Sequence, residues 1–466
     1  MADTPNILVV MADDHGQWAS GPYGNRDLRT PAMDYLARRG VRMADAFTPT
    51  PVCSPARASF FTGRLPSQHG IQDYLMEVDM PDKDWLAGET TLPQLLQGAG
   101  YQTALVGKWH CGRSWLTPPG FDYWISYQAN QRPHRGTQRF VENGTPVVHE
   151  GYQTPFLTGK ALRFLRERDR ARPFFLFVGY VDTHSPFAEH PDRLVSAYRQ
   201  AGITDMPLEE ADTTRGWARM LAPREPAERR ERLAQYYAAV TMIDEQVGAL
   251  LDDLEGRGEL ANTLVIYTAD HGHMNGQHGL YTKGNATVPQ NFYEESIRIP
   301  ALLCWPDHFP AGQVRAEPVD HLDLFQTLLD VAHCRLDPAF VAERRYPGRS
   351  YLPMLEGRPI DWRREQFGEY GNARMLRTEQ YKLVRHYAPH AGVYSDELYD
   401  LTADPRETQN RIANPALADT IRTLDTRLEE HFARYEQPER SAKNILSQPL
   451  CNRVEPWRIE RPGPRS

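Results

Sequence analysis

Short apolar runs rich in strand-forming residues recur along the chain, at Asn6 to Ala12, Thr103 to Val106, Pro173 to Val181, Thr263 to Ala269 and Pro300 to Trp305. Between them, Thr30 to Arg39, Thr91 to Gly100, Thr158 to Arg168 and Ala234 to Leu254 place apolar residues at helical spacing, with polar outer faces. This alternation predicts an α/β fold with a large, mostly parallel central sheet flanked by helices on both faces. Ligands of such sheets gather at the carboxyl ends of the strands. The polar residues that follow the runs, Asp13-Asp14, Gly107-Lys108, Asp182-Thr183-His184 and Asp270-His271, stand where a site would form.

The pattern changes after residue 365. Gln366 to Tyr370, Tyr381 to His386 and Leu398 to Leu401 are short and alternating, which predicts a smaller C-terminal α+β unit containing an antiparallel sheet. Leu417, Ile421, Leu424, Leu428 and Phe432 form the apolar face of one helix, expected to pack on that sheet. The expected organisation is therefore a main domain over residues 1–365, a small subdomain over 366–436, and a tail over 437–466. The tail is rich in Pro and Arg with isolated Trp457 and Ile459, and reads equally as disordered or as strapped onto a neighbouring surface. Internal repeats are not evident.

Composition removes several function classes. The 466 residues are 40% hydrophobic and 24% charged, enough for a large core. A net charge of -8 and the absence of any basic run argue against nucleic acid as a partner. The apolar runs are strand-sized, so no membrane span is expected. The chain begins Met1-Ala2-Asp3-Thr4-Pro5 and enters a strand at once, without the pattern of a secretory signal, so a cytoplasmic protein is expected. The five cysteines, Cys53, Cys111, Cys304, Cys334 and Cys451, are scattered and odd in number, unlike a disulfide framework.

Adjacent carboxylates such as Asp13 and Asp14 repel unless a cation neutralises them, which suggests a metal site; a helix cap with an exposed neighbour is the plainer reading. Asp270-His271 follows another strand and could converge on the same ion. The segment Cys53-Ser54-Pro55-Ala56-Arg57, followed by Ser59 and Thr62-Gly63-Arg64, carries the strongest signal. A lone cysteine there would read as a structural residue before a helix. The whole segment resembles the signature of the formylglycine-dependent (type I) sulfatase family of the alkaline phosphatase superfamily. Gly107-Lys108-Trp109-His110, Asp182-Thr183-His184-Ser185-Pro186 and Lys283 at the end of His278-Gly279-Leu280-Tyr281-Thr282-Lys283 resemble further segments of that family, in its order. Taken singly, Lys108 and Lys283 read as surface charges, His110 as a core histidine and His184 as a cap.

The resemblance implies that a separate maturation enzyme oxidises Cys53 to formylglycine, whose hydrate offers two hydroxyls on one carbon. It implies one divalent cation held by Asp13, Asp14, Asp270, His271 and an oxygen of modified Cys53. Many family members have Asn where His271 stands and others have His; calcium is the expected ion, with manganese or magnesium kept open. Arg57 would help hold the hydrate, and Lys108, His184 and Lys283 would bind sulfate oxygens. His184 or Lys283 would protonate the leaving oxygen, and His110 would deprotonate the second hydroxyl to release sulfate. The implied activity is hydrolysis of an aryl or carbohydrate sulfate monoester, with a small sulfated substrate, in a chain open to homo-oligomer formation. Two rivals remain: a phosphonate monoester or phosphodiester hydrolase of the same superfamily, and a non-catalytic binder of sulfated ligands. His69, His273 and His278 stay open between orienting ligands and filling space. Tyr74, Trp109, Trp115, Tyr180 and Phe187 stay open between stacking on a substrate ring and packing.

Overall fold

The computed structural model describes residues 4–77, 80–127, 134–201, 203, 222–223 and 225–458. Its centre is a 10-stranded mixed sheet. Five neighbouring strands, Thr263–Ala269, Asn6–Ala12, Phe174–Tyr180, Gln102–Gly107 and Tyr123–Tyr127, run parallel in that spatial order. One flank adds Ala301–Cys304, antiparallel to Thr263–Ala269, and then Val41–Met43 and Gln313–Arg315. The other flank adds the antiparallel pair Thr137–Glu142 and Thr145–Glu150. The expected mostly parallel sheet is thus parallel at its core, with Ala301–Cys304 antiparallel on one flank, where the edge pair Val41–Met43 and Gln313–Arg315 is again parallel, and an antiparallel hairpin on the other.

Every residue of Asn6–Ala12 is buried, because the two sets of alternating side chains enter different cores. Leu8, Val10 and Ala12 face a cluster with Leu36, Leu157 and Val240 from the helices Pro31–Arg39, Gln153–Glu167 and Pro226–Gly256. Ile7, Val9 and Met11 face Phe60, Leu96 and Leu328 from Cys53–Thr62, Leu92–Gly98 and His321–Val331. Helices therefore cover both faces, as the pattern predicts. Two of them start earlier than their apolar spacing indicates: the helix expected from Thr158 begins at Gln153, with Pro155 in its first turn, and that expected from Ala234 begins at Pro226. Proline tolerates a first turn, where its missing N–H would be unpaired anyway.

A 4-stranded antiparallel sheet follows in sequence, from Gln366–Tyr370, Ala373–Arg377, Tyr381–His386 and Glu397–Asp400. Helix Ala418–Tyr435 sets Leu424, Leu428 and Phe432 against Leu376, Leu383 and Leu398, the packing expected for it. Residues 437–458 lie along the protein surface, with Trp457 buried against Tyr370. Of the two readings of the tail, the strapped one holds over this span; Ile459 and the rest of the tail lie outside the described residues, as do Met1, Ala2 and Asp3. Among the described residues no helix is long and apolar enough to cross a membrane.

Strand register brings the site together. Ala12 is paired with both Tyr180 and Ala269, and Gly107 with Gly179, so these strands end at one level. A Cβ on Gly107, whose φ is 105°, would lie 2.1 Å from the Gly179 carbonyl oxygen, so only glycine permits this approach.

Candidate active site

Four segments leave the sheet at that level: Asp13-Asp14, Lys108 to His110, the stretch after Tyr180 that carries His184, and Asp270-His271. Opposite them the helix Cys53–Thr62 begins at Cys53 itself, and all its residues are buried. A helix buried on every side must present its polar groups to partners. Arg57 does so with two of its three nitrogens: Nε donates to Asp270 Oδ2 at 2.9 Å and Nη1 to the Lys108 carbonyl at 2.9 Å, while Nη2, without a hydrogen-bond partner among the described residues, lies 3.9 Å from Asp13 Oδ1.

Cys53 Sγ occupies the middle. It lies 2.9 Å from Lys283 Nζ, 3.3 Å from His271 Nε2 and 4.0 Å from Asp14 Oδ1. Lys108 is paired with Asp13 and Lys283 with Asp14. Burial raises both aspartates, but the opposing charges of Lys108 at Asp13 and of Lys283 at Asp14 prevail and hold each well below the usual carboxylate range. Burial and Asp13 likewise push the Cys53 thiol up, and Lys108, Lys283 and His271 together bring it well below its ordinary value. Asp270 is pushed up by burial and by Asp13, to about 7. Its Oδ1 accepts the backbone N–H groups of Asp14, at 3.2 Å, and of His271, at 2.9 Å.

Histidine tautomers follow from carbonyl partners, which can only accept. His271 Nδ1 must donate to the Gly272 carbonyl at 2.8 Å, which directs Nε2 towards Cys53 and Asp14. His110 Nε2 must donate to the Leu75 carbonyl at 2.9 Å. Its Nδ1 is buried and has no hydrogen-bond partner among the described residues. Burial and Lys108 lower the pKa of this ring, against the pull of Cys53. His184 is half-buried, and its Nδ1 donates to the Ser185 carbonyl at 2.7 Å.

The donor set suits a divalent cation. One ligand atom from each of Asp13, Asp14, Cys53 and His271 lies within 4.8 Å of the others. Asp13 Oδ1 is buried without a hydrogen-bond partner among the described residues, an acceptor left for an ion. Asp270 adjoins the group, with Oδ1 3.5 Å from His271 Nε2 and both oxygens already accepting bonds. All ten residues expected to form the site are therefore gathered in one centre.

The ambiguous residues separate. His273 Nδ1 is 3.6 Å from Asp14 Oδ2 and its ring stacks on Tyr236. His69 instead pairs with Ser59 within the core, and His278 with Glu295. Trp109 packs on Phe61, Phe121 and Trp124, and Tyr180 bonds to Thr158, so both are packing residues. Phe187 is half-buried beside His273.

Sequence reasoning missed several supports. Tyr236 donates its hydroxyl to the Asp14 carbonyl at 2.9 Å. His134 Nε2 donates to the His184 carbonyl at 2.9 Å, and its Nδ1 lies 3.3 Å from Asp182 Oδ1. Asp182 Oδ2 accepts from Tyr152 at 2.7 Å. Tyr236, His134 and Tyr152 belong to no motif and no spacing relates them; only Asp182 lies in a segment already singled out.

Residues 5–334 match the family model described as Sulfatase, well over half of the chain. The chain belongs to the sulfatase family. Residues 276–434 also match the model described as N-sulphoglucosamine sulphohydrolase, C-terminal. This sulfatase is 29% identical to an N-acetylglucosamine-6-O-sulfatase of Bacteroides thetaiotaomicron over 95% of its own length and 88% of the relative's. It is 30% identical to the N-acetylgalactosamine-6-sulfatase of Sus scrofa, covering 81% of this chain and 71% of that one. Among solved structures, one in complex with its substrate D-glucosamine-2-N,6-O-disulfate shares 27% identity at a TM-score of 0.73, over 93% of this chain and 98% of that chain. The phosphonate monoester hydrolase of Agrobacterium radiobacter, at 21% identity and a TM-score of 0.72 over 92% of this chain and 96% of that one, shares the fold. The protein is a sulfuric ester hydrolase.

Proposed function

We propose that this sulfatase hydrolyses a sulfate monoester on a small sugar, after a maturation enzyme has converted Cys53 to formylglycine, with one divalent cation, calcium by preference, in the centre. The observation that carries this reading is the position of Cys53 Sγ, buried between Lys283 at 2.9 Å and His271 at 3.3 Å at the mouth of a carboxylate cluster. A structural cysteine has no need of such surroundings. Relatives named for sulfated amino sugars, and a similar structure holding a disulfated glucosamine, support a carbohydrate substrate.

The cation would supply Lewis acidity and neutralise the carboxylates, and the formylglycine hydrate would supply two hydroxyls on one carbon. Asp13, Asp14, His271 and the adjoining Asp270 would hold the ion, with Arg57 fixing Asp270 through Nε. Lys108 and Lys283 bring positive charge to the place where sulfate oxygens would sit, offsetting charge that grows as the ester bond breaks. His184 keeps Nδ1 on a carbonyl, so a proton on Nε2 is the one it can pass to the leaving oxygen. His110 has the opposite tautomer, and its Nδ1 lone pair can take a proton at residue 53.

One matured preparation, assayed against a hexosamine sulfate, an aryl sulfate and an aryl phosphonate, tests the proposal. The expected order of kcat/KM places the sulfates above the phosphonate. Preference for the phosphonate would replace this reading with the superfamily's phosphonate chemistry, and tight binding of the sulfates without turnover would make the protein a binder.

A further inference from the structure

The C-terminal strap lies beyond both family matches, which end at residues 334 and 434. It is nonetheless built into the centre. Asn452 is fully buried, and its Nδ2 donates to Asp73 Oδ2 at 3.1 Å and to the Tyr74 carbonyl at 2.8 Å. Two residues beyond Tyr74, the Met76 N–H donates to the Cys451 carbonyl at 3.2 Å. The strap thus grips the chain on both sides of Leu75. Leu75 in turn carries two contacts to the centre: its carbonyl accepts from His110 Nε2 at 2.9 Å, and its N–H donates to Ser54 Oγ at 2.9 Å, next to Cys53.

We infer that the strap is a positioning element of the active centre, in which Asn452 fixes the Leu75 carbonyl that sets the orientation and tautomer of His110. A carbonyl held in place keeps the proton on Nε2 and the lone pair on Nδ1, as a carboxylate or carbonyl does for a metal-bound histidine. The strap is itself anchored. Asn452 Oδ1 accepts the Val454 N–H at 2.8 Å, Glu455 accepts the Cys451 N–H at 2.8 Å, and Arg458 binds the carbonyls of Ile445 and Gln448 at 3.1 and 3.0 Å. Trp457 covers Gly371, where a Cβ would meet its ring at 1.9 Å. Asn452 touches no reacting atom and acts through Leu75.

The inference rests on the proton role proposed for His110, and the test separates the two. Asn452→Ala removes both Nδ2 bonds and the Oδ1 bond from Val454, and leaves the Glu455, Arg458 and Trp457 anchors. Rapid-quench kinetics of the matured, metal-loaded enzyme should show the first turnover of alcohol release unchanged. Steady-state turnover should fall by roughly 10- to 100-fold, the range for loss of a supporting partner. Added to His110→Ala, the same substitution should cause no further loss. Hydrogen exchange over residues 72–77 should rise in Asn452→Ala and little elsewhere, whatever the role of His110. Equal slowing of both phases, or losses that multiply in the double variant, would overturn the inference. If His110→Ala leaves the second phase intact, the proton role falls, and exchange decides the clamp: a rise over 72–77 sustains it, and unchanged exchange refutes it.

Discussion

Arg57→Met tests the electrostatic core of the site. Methionine fills similar space without charge, so the loss is of three contacts: the bond to Asp270 at 2.9 Å, the bond to the Lys108 carbonyl at 2.9 Å, and the approach to Asp13 at 3.9 Å. Arg57, Asp13 and Asp270 are all completely buried, so removing the cation strands carboxylate charge where water cannot reach it. Breaking one side of a buried pair costs about 3–5 kcal/mol. The comparison is Arg193→Met, which breaks a pair with Glu245 whose side chains are 59% and 37% exposed, and should cost less than about 1 kcal/mol. Urea denaturation of chelator-treated protein, followed by tryptophan fluorescence, gives both values from midpoint shifts. Saturating calcium should shrink the Arg57→Met loss, because an ion at Asp13 supplies charge that the arginine no longer does. An Arg57→Met loss no larger than that of Arg193→Met, with or without calcium, would refute the reasoning.

Chelation should abolish turnover, and calcium or manganese should restore it; activity that survives metal removal verified by elemental analysis would contradict the ion site. Asp13→Asn should weaken cation binding by calorimetry, and His271→Asn, which keeps an oxygen ligand, should retain calcium better than His271→Ala. His184→Ala should slow sugar sulfates far more than an activated aryl sulfate, and an unchanged leaving-group dependence would remove its proton role. His110→Ala should give a burst of alcohol followed by slow turnover on every substrate, and linear release at the reduced rate would argue against it.

Strand limits are legible in the sequence at Asn6–Ala12 and Thr263–Ala269, where dense apolar runs meet polar residues abruptly, and at Gln366–Tyr370 and Tyr381–His386, where apolar and polar residues alternate over a short span. Ala373–Arg377 is hidden by its arginines. Arg374 is completely buried yet paired with Glu436 and Glu369, so a charge sits where periodicity expects an apolar residue. The edge hairpin Thr137–Glu142 and Thr145–Glu150 mixes Thr137, Arg139 and Glu150 with exposed Val148 on its open face, and its mark is the turn Asn143-Gly144, both residues at positive φ. The site is legible where chemistry forces residue types into adjacent positions, as at Asp13-Asp14 and Cys53 to Arg57. It is illegible where support arrives from distant parts of the chain. Asn452 lies 379 positions from Asp73, and His134 reaches His184 through a backbone carbonyl that any residue could supply. Trp109, open in the sequence between stacking and packing, adjoins Lys108 and His110 in the chain but is buried in the core against Phe61 and Trp124, so proximity in sequence does not decide function.

The central claim is that residue 53 must be chemically converted before the centre works. Mass spectrometry of the peptide spanning Cys53, on preparations made with and without a maturation enzyme, measures the converted fraction directly, and each preparation is assayed on the same sulfate ester. The account predicts activity proportional to the aldehyde fraction, extrapolating to zero at none, and no turnover from folded Cys53→Ala. Full activity from protein in which residue 53 is entirely thiol would contradict it.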